Sequence, residues 1–154
     1  MTGPAGLGKR ASYPAMSDDP NEIARRLLDT NAYMTLGTAG EDGRPWTSPV
    51  WFAAPSPAEL LWVSAPETRH SRNIAARPEI SIVVFDSTVP EGEGVALYME
   101  ATAAQADPGD IDKFADDWTI TDVTAPAKHR LYRATVQRWW LLDDHDERVE
   151  VQLR

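Results

Sequence analysis

The most constraining feature of this 154-residue chain is a series of short runs of alternating or β-branched residues, each closed by a turn rich in glycine, proline or acidic residues. Such runs are typical of β-strands, which are usually about 3–10 residues long. They lie at residues 32–38, 46–53, 59–64, 80–85, 95–105, 131–142 and 148–153. About six or seven strands with few helices predict a closed or partly closed antiparallel barrel, and the alternative is an open α+β sheet.

Three segments between these strands have the pattern of short helices. The sequence DPNE at 19–22 places an N-cap acid before a proline at the first helical position, and predicts a helix over about residues 20–29. Residues 69–76 lie between two prolines. Residues 108–117 carry apolar side chains on one side and acids on the other, which indicates a third helix.

Composition restricts the partners that the chain can have. It holds 24 acidic residues against 15 Lys plus Arg, a net charge of −9, so we expect no binding to nucleic acid. Its apolar runs fall far short of the roughly 20 residues of a membrane-spanning helix. With 0 Cys, and with no basic-then-apolar pattern at residues 1–8, a cytoplasmic location is expected. Residues 1–18 lack apolar periodicity and predict a flexible arm before a single domain at 19–154.

The runs at 32–38 and 46–53 predict a β-hairpin, because a polar turn that contains glycine separates them. Pro49 lies inside the second run. Since proline cannot donate to a β-ladder, this position predicts a sheet edge, a bulge or a point where a ligand approaches. Three tryptophans that alternate with polar residues are expected to pack in the core unless they border a groove: Trp46, Trp51 and Trp62.

A short basic segment interrupts this acidic chain. Residues 67–77 carry three arginines and one glutamate, a local charge of 3 − 1 = +2. A helix that begins near Thr68 would place Arg69 and Arg72 on one face, since side chains three positions apart are neighbours. With the hydroxyls of Thr68 and Ser71 and the N-terminal amides of the helix, these arginines would form a phosphate site.

The same arginines also have an ordinary interpretation. Exposed arginines usually form surface pairs with acids, which here would be Glu67, Glu79 or acids distant in the sequence. Such surface pairs contribute about 0–1 kcal/mol each and imply no ligand. The spacing of the residues leaves both interpretations open.

Other residues that could carry chemistry are few. The three histidines are His70, His129 and His145, and no two of them lie four residues apart, the spacing of metal-ligating histidines on one helix. His145 lies among acids that favour a charged hairpin tip, so no metal site is predicted. The chain has no nucleophile elbow and no glycine-rich phosphate loop. If the protein is an enzyme, a cofactor is expected to supply the reactive group.

Several motifs occur in a telling order: TSPVWF at 47–52, WVSA at 62–65, T-R-x-x-R-N-I at 68–74 followed by RP and ISIVVF, and VQRWWLLD at 136–143. This order resembles the flavin-binding split-barrel proteins related to pyridoxamine 5'-phosphate oxidase. The resemblance covers about residues 21–144, and residues 68–84 are its most specific part.

The resemblance implies a mainly β fold, an antiparallel six-stranded split β-barrel with short peripheral α-helices. It also implies a homodimer with one FMN in each of two grooves at the subunit interface. Arg69 and His70 match the pair that grips the flavin phosphate, and one of the two late tryptophans matches an aromatic side chain that reaches the flavin from the partner subunit. The implied FMN-binding residues are Thr47, Ser48, Pro49, Val50, Trp51, Thr68, Arg69, His70, Ser71, Arg72, Asn73, Trp139 and Trp140.

The chain departs from this family pattern in two places. His70 stands where most relatives have lysine, and a neutral imidazole lacks the permanent charge of an ammonium group, although a bound phosphate favours its protonated form. Weaker or pH-dependent FMN binding is therefore expected. The final VQLR at 151–154 lacks the R-L-x-P-type ending associated with substrate recognition, which argues against pyridoxamine phosphate as the substrate.

The leading hypothesis is therefore an FMN-dependent oxidoreductase with an unidentified small-molecule redox substrate. A second hypothesis replaces FMN with the 5-deazaflavin coenzyme. A third, from a different class, is a non-catalytic protein that binds flavin or haem, for which the three histidines are the candidate axial ligands.

Overall fold

The computed structural model describes residues 19–114, 120, 122–142 and 146–153. These residues form two α-helices, one 3₁₀ segment and eight β-strands. The helices are α1 (Pro20–Thr30) and α2 (Arg69–Ala76), and the 3₁₀ segment is Pro108–Lys113. The strands are β1 (Tyr33–Ala39), β2 (Pro45–Trp51), β3 (Ala53–Ser56), β4 (Glu59–Ser64), β5 (Glu79–Phe85), β6 (Ala96–Gln105), β7 (Arg130–Leu142) and β8 (Arg148–Val151).

All eight strands belong to one antiparallel sheet in the order β2-β1-β5-β6-β7-β4-β3, and β8 pairs with the second half of β7. The sheet curls until β2, at one end, contacts β4, near the other. No ladder joins β2 to β4 among the described strands, so a split remains between them. The mainly β split barrel expected from the sequence is confirmed, and the open α+β sheet is wrong.

The strand count differs from the expected six because one predicted run changes partner. The run at 46–53 divides at Phe52: β2 pairs with β1, whereas β3 pairs with β4 at the other end of the sheet. The backbone N–H of Phe52 donates to Ala32, 3.1 Å away, where the chain crosses between the two ends. The short strand β8 adds the other extra member.

The predicted hairpin is present, and its register explains Pro49. Strands β1 and β2 pair from Tyr33 with Trp51 to Ala39 with Pro45, which places Pro49 opposite Thr35. Because β2 is the end of the sheet, Pro49 lies on an edge strand and its missing N–H leaves no ladder bond unmade.

The core lies between the curled sheet and α1. The side chain of Asp19 caps α1 by accepting a hydrogen bond from the N–H of Asn21 at 2.9 Å. The apolar side of α1 packs against β5, β6 and β8. The buried residues of this helix join the main core: Ile23, Ala24, Leu27 and Leu28.

The third predicted helix is shorter than expected. It is the 3₁₀ segment Pro108–Lys113, and it ends at Phe114, which is extended and belongs to a second apolar cluster with Leu61 and Leu131. The end of the predicted helix, the predicted arm at 1–18 and His145 lie outside the described residues. No helix in the described part of the chain is long and apolar enough to cross a membrane.

Candidate functional site

Helix α2 lies beside the split in the barrel and contacts strands from both of its sides. It packs against β1 and β2, and its first turn is hydrogen-bonded to Ser64, the last residue of β4. Thr68 caps the helix: its Oγ1 accepts from the N–H of Ser71 at 3.3 Å. The positive end of the helix is therefore held next to the gap between β2 and β4.

His70 faces the β4 side of this gap. Its Nε2 lies 2.8 Å from Oγ of Ser64 and 3.2 Å from Oγ1 of Thr68. Burial lowers the pKa of His70 from its ordinary value, because the charged imidazolium is the form that loses hydration. This burial therefore favours the neutral form of the imidazole.

Arg69 faces the opposite, β2 side. Its guanidinium carbon lies 4.3 Å from the centroid of the Trp46 ring. Arg72, one turn later, donates from Nη1 to the carbonyl of Glu67. Within the described residues neither arginine forms an ion pair with a carboxylate, so the alternative of surface pairs with Glu67 or Glu79 is not what the structure shows.

The first turn of α2 also exposes hydrogen-bond donors. In the part of the chain that the structure describes, the backbone N–H groups of Arg69 and His70 have no protein acceptor. The hydroxyls of Thr68 and Ser71 lie 2.8 Å apart and serve the cap, and Asn73 donates from Nδ2 to Oγ1 of Thr38 at 3.0 Å. Of the predicted cradle, Arg69 and Arg72 are exposed and His70 is half-buried, whereas Ser71 and Asn73 are buried.

A groove of about 560 Å³ crosses the outer face of the sheet. It runs over five strands, from the β1–β2 hairpin to β7, and Gln137 closes its far end. The register between β6 and β7 shifts at Glu100, and this bulge leaves Gln137 on the outer face, where its Nε2 donates to Thr102 at 3.0 Å. The residues lining the groove are Gly37, Thr38, Ala39, Pro45, Thr47, Glu79, Ile80, Ser81, Glu100, Ala101, Thr102 and Gln137.

Gly37 forms the floor of this groove because no larger residue fits there. A Cβ on Gly37 would lie 2.4 Å from Oγ and 3.3 Å from the carbonyl oxygen of Ser81 on β5. Both contacts are closer than side chains normally allow. The absence of a side chain at Gly37 thus keeps β1 and β5 in contact and the groove open.

We expect Gly37→Ala to lower the free energy of unfolding by about 1–3 kcal/mol, because the added methyl group overpacks this contact. Urea denaturation measures the change. Gly94→Ala is the matched control, since its Cβ would meet only Val89 Cγ2 at an ordinary 3.6 Å. The double variant Gly37→Ala/Ser81→Gly is expected to recover part of the loss, and an unchanged stability of Gly37→Ala would contradict the steric argument.

The predicted FMN-contacting strand presents two different faces. Ser48 and Val50 point into the barrel and are buried, whereas Thr47, Pro49 and Trp51 point outward. Trp51 is 42% exposed and meets the ring of Tyr33 edge to face at 5.2 Å. Trp51 therefore does not pack in the core, because its strand is an edge with only one buried face, and the stated exception of a tryptophan that borders a groove remains for it.

Trp46 and Trp62, the other two tryptophans expected to pack in the core unless they border a groove, differ in burial. Trp62 is fully buried and stacks on Tyr132 with their ring centroids 5.7 Å apart. Trp46 is 40% exposed and lies under Arg69. Core packing is confirmed for Trp62, whereas Trp46 is outside the core, which leaves for it the stated exception of a residue that borders a groove.

The two late tryptophans have opposite orientations. Trp139 is buried in the core, and its Nε1 donates to the carbonyl of Pro57 at 3.0 Å. Trp140 lies on the outer face, where the guanidinium carbon of Arg138 is 4.6 Å from its ring centroid. Of the two, only Trp140 is placed to touch a molecule outside its own barrel.

Three features of the site were missed from the sequence: the Arg69–Trp46 stack, the Gly37 floor and the Gln137 bulge. The bulge had a signal, since two consecutive polar residues, Gln137 and Arg138, interrupt the alternation of β7. The other two depend on contacts between distant strands and had none. Among the described residues, no three His, Asp or Glu side chains are grouped so as to hold a metal ion.

Comparisons with known proteins agree with this architecture. The family model described as pyridoxamine 5'-phosphate oxidase matches residues 21–143. No curated protein sequence matches the chain at a significant level.

Solved structures with the same fold include a haem-binding protein from Mycobacterium smegmatis (TM-score 0.69, 16% identity), which covers 90% of this chain, while this chain spans 60% of that one. An F420 reductase has a TM-score of 0.57 and 22% identity over 75% of this chain and 94% of its own. A FAD-binding protein from Mesorhizobium loti has a TM-score of 0.59 and 20% identity over 82% of this chain and 94% of its own. At these identities the likeness establishes the fold.

Proposed function

Because this chain belongs to the pyridoxamine 5'-phosphate oxidase family, we propose that it is an FMN-dependent oxidoreductase acting on a small-molecule redox substrate. The observation that carries the proposal is the first turn of α2, where Arg69 has no carboxylate partner and the backbone N–H groups of Arg69 and His70 have no protein acceptor among the described residues. Unpaired cationic and N–H donors at a helix N-terminus suit a phosphate group.

The first turn of α2 fits the phosphate of FMN in charge, and the groove fits a flavin-sized molecule in volume. Arg69, Arg72 and the amides of Arg69 and His70 would bind the phosphate. The groove volume of about 560 Å³ falls within the roughly 300–1,000 Å³ that is usual for small-molecule sites. The Gly37 floor is a cradle that a Cβ would fill, which lets a flat ring approach the backbone.

In this proposal the chain binds and orients the cofactor, and the cofactor supplies the hydride or electron transfer. The outward residues Thr47, Pro49 and Trp51 would line the ring, with the free edge of β2 beside them. No side chain is required as a general acid or base in this proposal.

We also propose that the protein acts as a homodimer in the cytoplasm. Three large apolar side chains on the outer face of neighbouring strands are strongly exposed: Tyr33 at 57%, Trp51 at 42% and Phe85 at 47%. A second copy that covers this face would bury them and bring a Trp140 towards the site. A chain with 0 Cys suits a reducing compartment.

Titration of FMN into the purified protein, followed by flavin fluorescence, tests the function. We expect micromolar or tighter binding, much weaker binding of riboflavin, which lacks the phosphate, and a dimer by light scattering. Equal affinities for FMN and riboflavin would contradict the proposed phosphate site, and a monomer at micromolar concentration would contradict the dimer.

The 5-deazaflavin coenzyme is the second candidate, favoured by the structural likeness to an F420 reductase. An uncharged His70 in place of lysine also reduces the expected affinity for FMN. Titration of both coenzymes under the same conditions distinguishes the two. Haem is less well supported, because Nε2 of His70, a candidate ligand, is already bonded to Ser64.

Binding of FMN is expected to strengthen as the pH falls from about 8 towards the pKa of His70. The direction of this pH dependence has two causes. Burial lowers the pKa of His70 in the free protein, and the negative charge of a bound phosphate raises it. Binding therefore takes up a proton in the window between the two values, and affinity is lost as pH rises through the bound-state pKa.

Fluorescence titrations at several pH values, with His70→Lys as the comparison, measure this dependence. The lysine variant keeps its charge over this pH range. Any remaining change of its FMN affinity with pH therefore comes from the phosphate itself, whose second pKa is about 6. Identical slopes for the two proteins would show that His70 takes no part in binding.

A further inference from the structure

Trp46 occupies an unusual position for a tryptophan. It is 40% exposed at the start of the edge strand β2, and it lies outside the main core. Its one described ring contact of note is with the guanidinium of Arg69, whose carbon lies 4.3 Å from the ring centroid. The partner of this exposed tryptophan is thus Arg69, a residue of the proposed phosphate site on α2.

The stack connects two parts of the fold that are not joined by a ladder. Arg69 begins α2, and Trp46 is the second residue of β2, on the face of the hairpin where Thr38 accepts a hydrogen bond from Asn73 of α2. Arginine has many rotamers, and holding it in one of them before the ligand arrives removes an entropic cost of binding. Tryptophan is the best aromatic partner for a guanidinium.

We propose that Trp46 is a positioning residue that holds Arg69 for the phosphate end of the cofactor. This inference rests on the proposed function and adds a residue to it. No carboxylate competes for Arg69 within the described residues, so the guanidinium keeps its donors free while its flat face lies on the indole.

The test compares FMN with riboflavin in Trp46→Leu. Loss of the stack is expected to weaken FMN binding about three- to tenfold and to leave riboflavin binding unchanged, because only FMN has the phosphate. Trp46→Phe keeps an aromatic face and should recover most of the affinity. In an Arg69→Ala background, Trp46→Leu should have no further effect, since the residue it positions is gone.

Tyr98→Leu is the matched control, because it removes a similar stack elsewhere, with the Arg148 carbon 4.5 Å from the ring. It should not change the ratio of FMN to riboflavin affinity. Equal weakening of both ligands by Trp46→Leu, or no weakening at all, would overturn the inference while leaving the proposed function intact.

An NMR measurement on the protein without FMN tests the positioning role of Trp46 separately from the proposed FMN binding. The NMR signal of the Arg69 Nε–H should be shifted by the indole ring current and should return to its usual position in Trp46→Leu. If wild-type protein binds FMN no better than riboflavin, the proposed function fails and the positioning role fails with it, even when this shift is present. An absent shift with tight FMN binding overturns the positioning role alone.

Discussion

Replacing Arg69 with alanine is expected to weaken FMN binding by at least tenfold. The substitution removes the exposed guanidinium that has no carboxylate partner among the described residues. A hydrogen bond to a charged group contributes about 1.5–3 kcal/mol, which corresponds to roughly 10- to 150-fold in affinity. Fluorescence titration of FMN into the variant and the wild-type protein measures the loss.

Arg77→Ala is the control for this change. It removes the same charge from the other end of the same helix, where Arg77 donates to the carbonyl of Glu41 at 3.0 Å. An eight-residue helix is about 12 Å long, so Arg77 lies beyond contact with a phosphate at the first turn. Unchanged affinity in Arg69→Ala, or an equal loss in Arg77→Ala, would remove Arg69 from the site.

Replacing Trp139 with alanine is expected to lower the free energy of unfolding by about 3–5 kcal/mol. The side chain is 9% exposed, and its removal leaves a cavity in the main core. It also leaves the carbonyl of Pro57 without its indole donor. For a domain of this size, whose total stability is about 5–15 kcal/mol, the loss is large. Urea denaturation at constant pH measures it.

Trp140→Ala provides the comparison on the next residue. This side chain lies on the outer face with Arg138 over its ring, so we expect a stability loss of about 1 kcal/mol or less. If the partner subunit reaches the cofactor through Trp140, this variant should instead weaken FMN binding. A larger stability loss for Trp140→Ala than for Trp139→Ala would show that the orientations are reversed.

The location of the proposed phosphate site follows from the incomplete closure of the barrel. A fully hydrogen-bonded barrel would pair the two ends of the sheet, β2 and β3, whereas here β2 only contacts β4 and α2 lies beside the gap. Here Arg69 contacts Trp46 of β2, and His70 contacts Ser64 of β4, so the two sides of the gap each hold one candidate ligand residue. Arg69 and His70 are neighbours in the sequence, and the gap between β2 and β4 allows their side chains to contact different strands.

Much of the fold was predictable because its signals are local. The bounds of α2 at 69–76 and of β4 at 59–64 agree with the sequence expectation. A threonine cap, flanking prolines and a β-branched run act within a few residues of where they occur. The basic segment at 67–77 was recognisable for the same reason, since its charge contrasts with the rest of the chain.

The features that were not predictable depend on which strand lies next to which. The division of 46–53 at Phe52 follows from a change of partner across the sheet, and the contact of Gly37 with Ser81 follows from the register of β1 and β5. The bulge at Gln137 determines which side chains of the following part of β7 point outward. Periodicity cannot report such pairings, because it describes one strand at a time.

The amino-acid sequence by itself therefore determined the elements, the basic first turn of α2 and the family resemblance. Only the tertiary structure decided that Trp139 packs inside while Trp140 faces out, that Arg69 rests on Trp46, and that His70 is desolvated against Ser64. The physical reason is that charge and capping are properties of neighbouring residues, whereas burial and stacking arise only when distant segments of the chain meet.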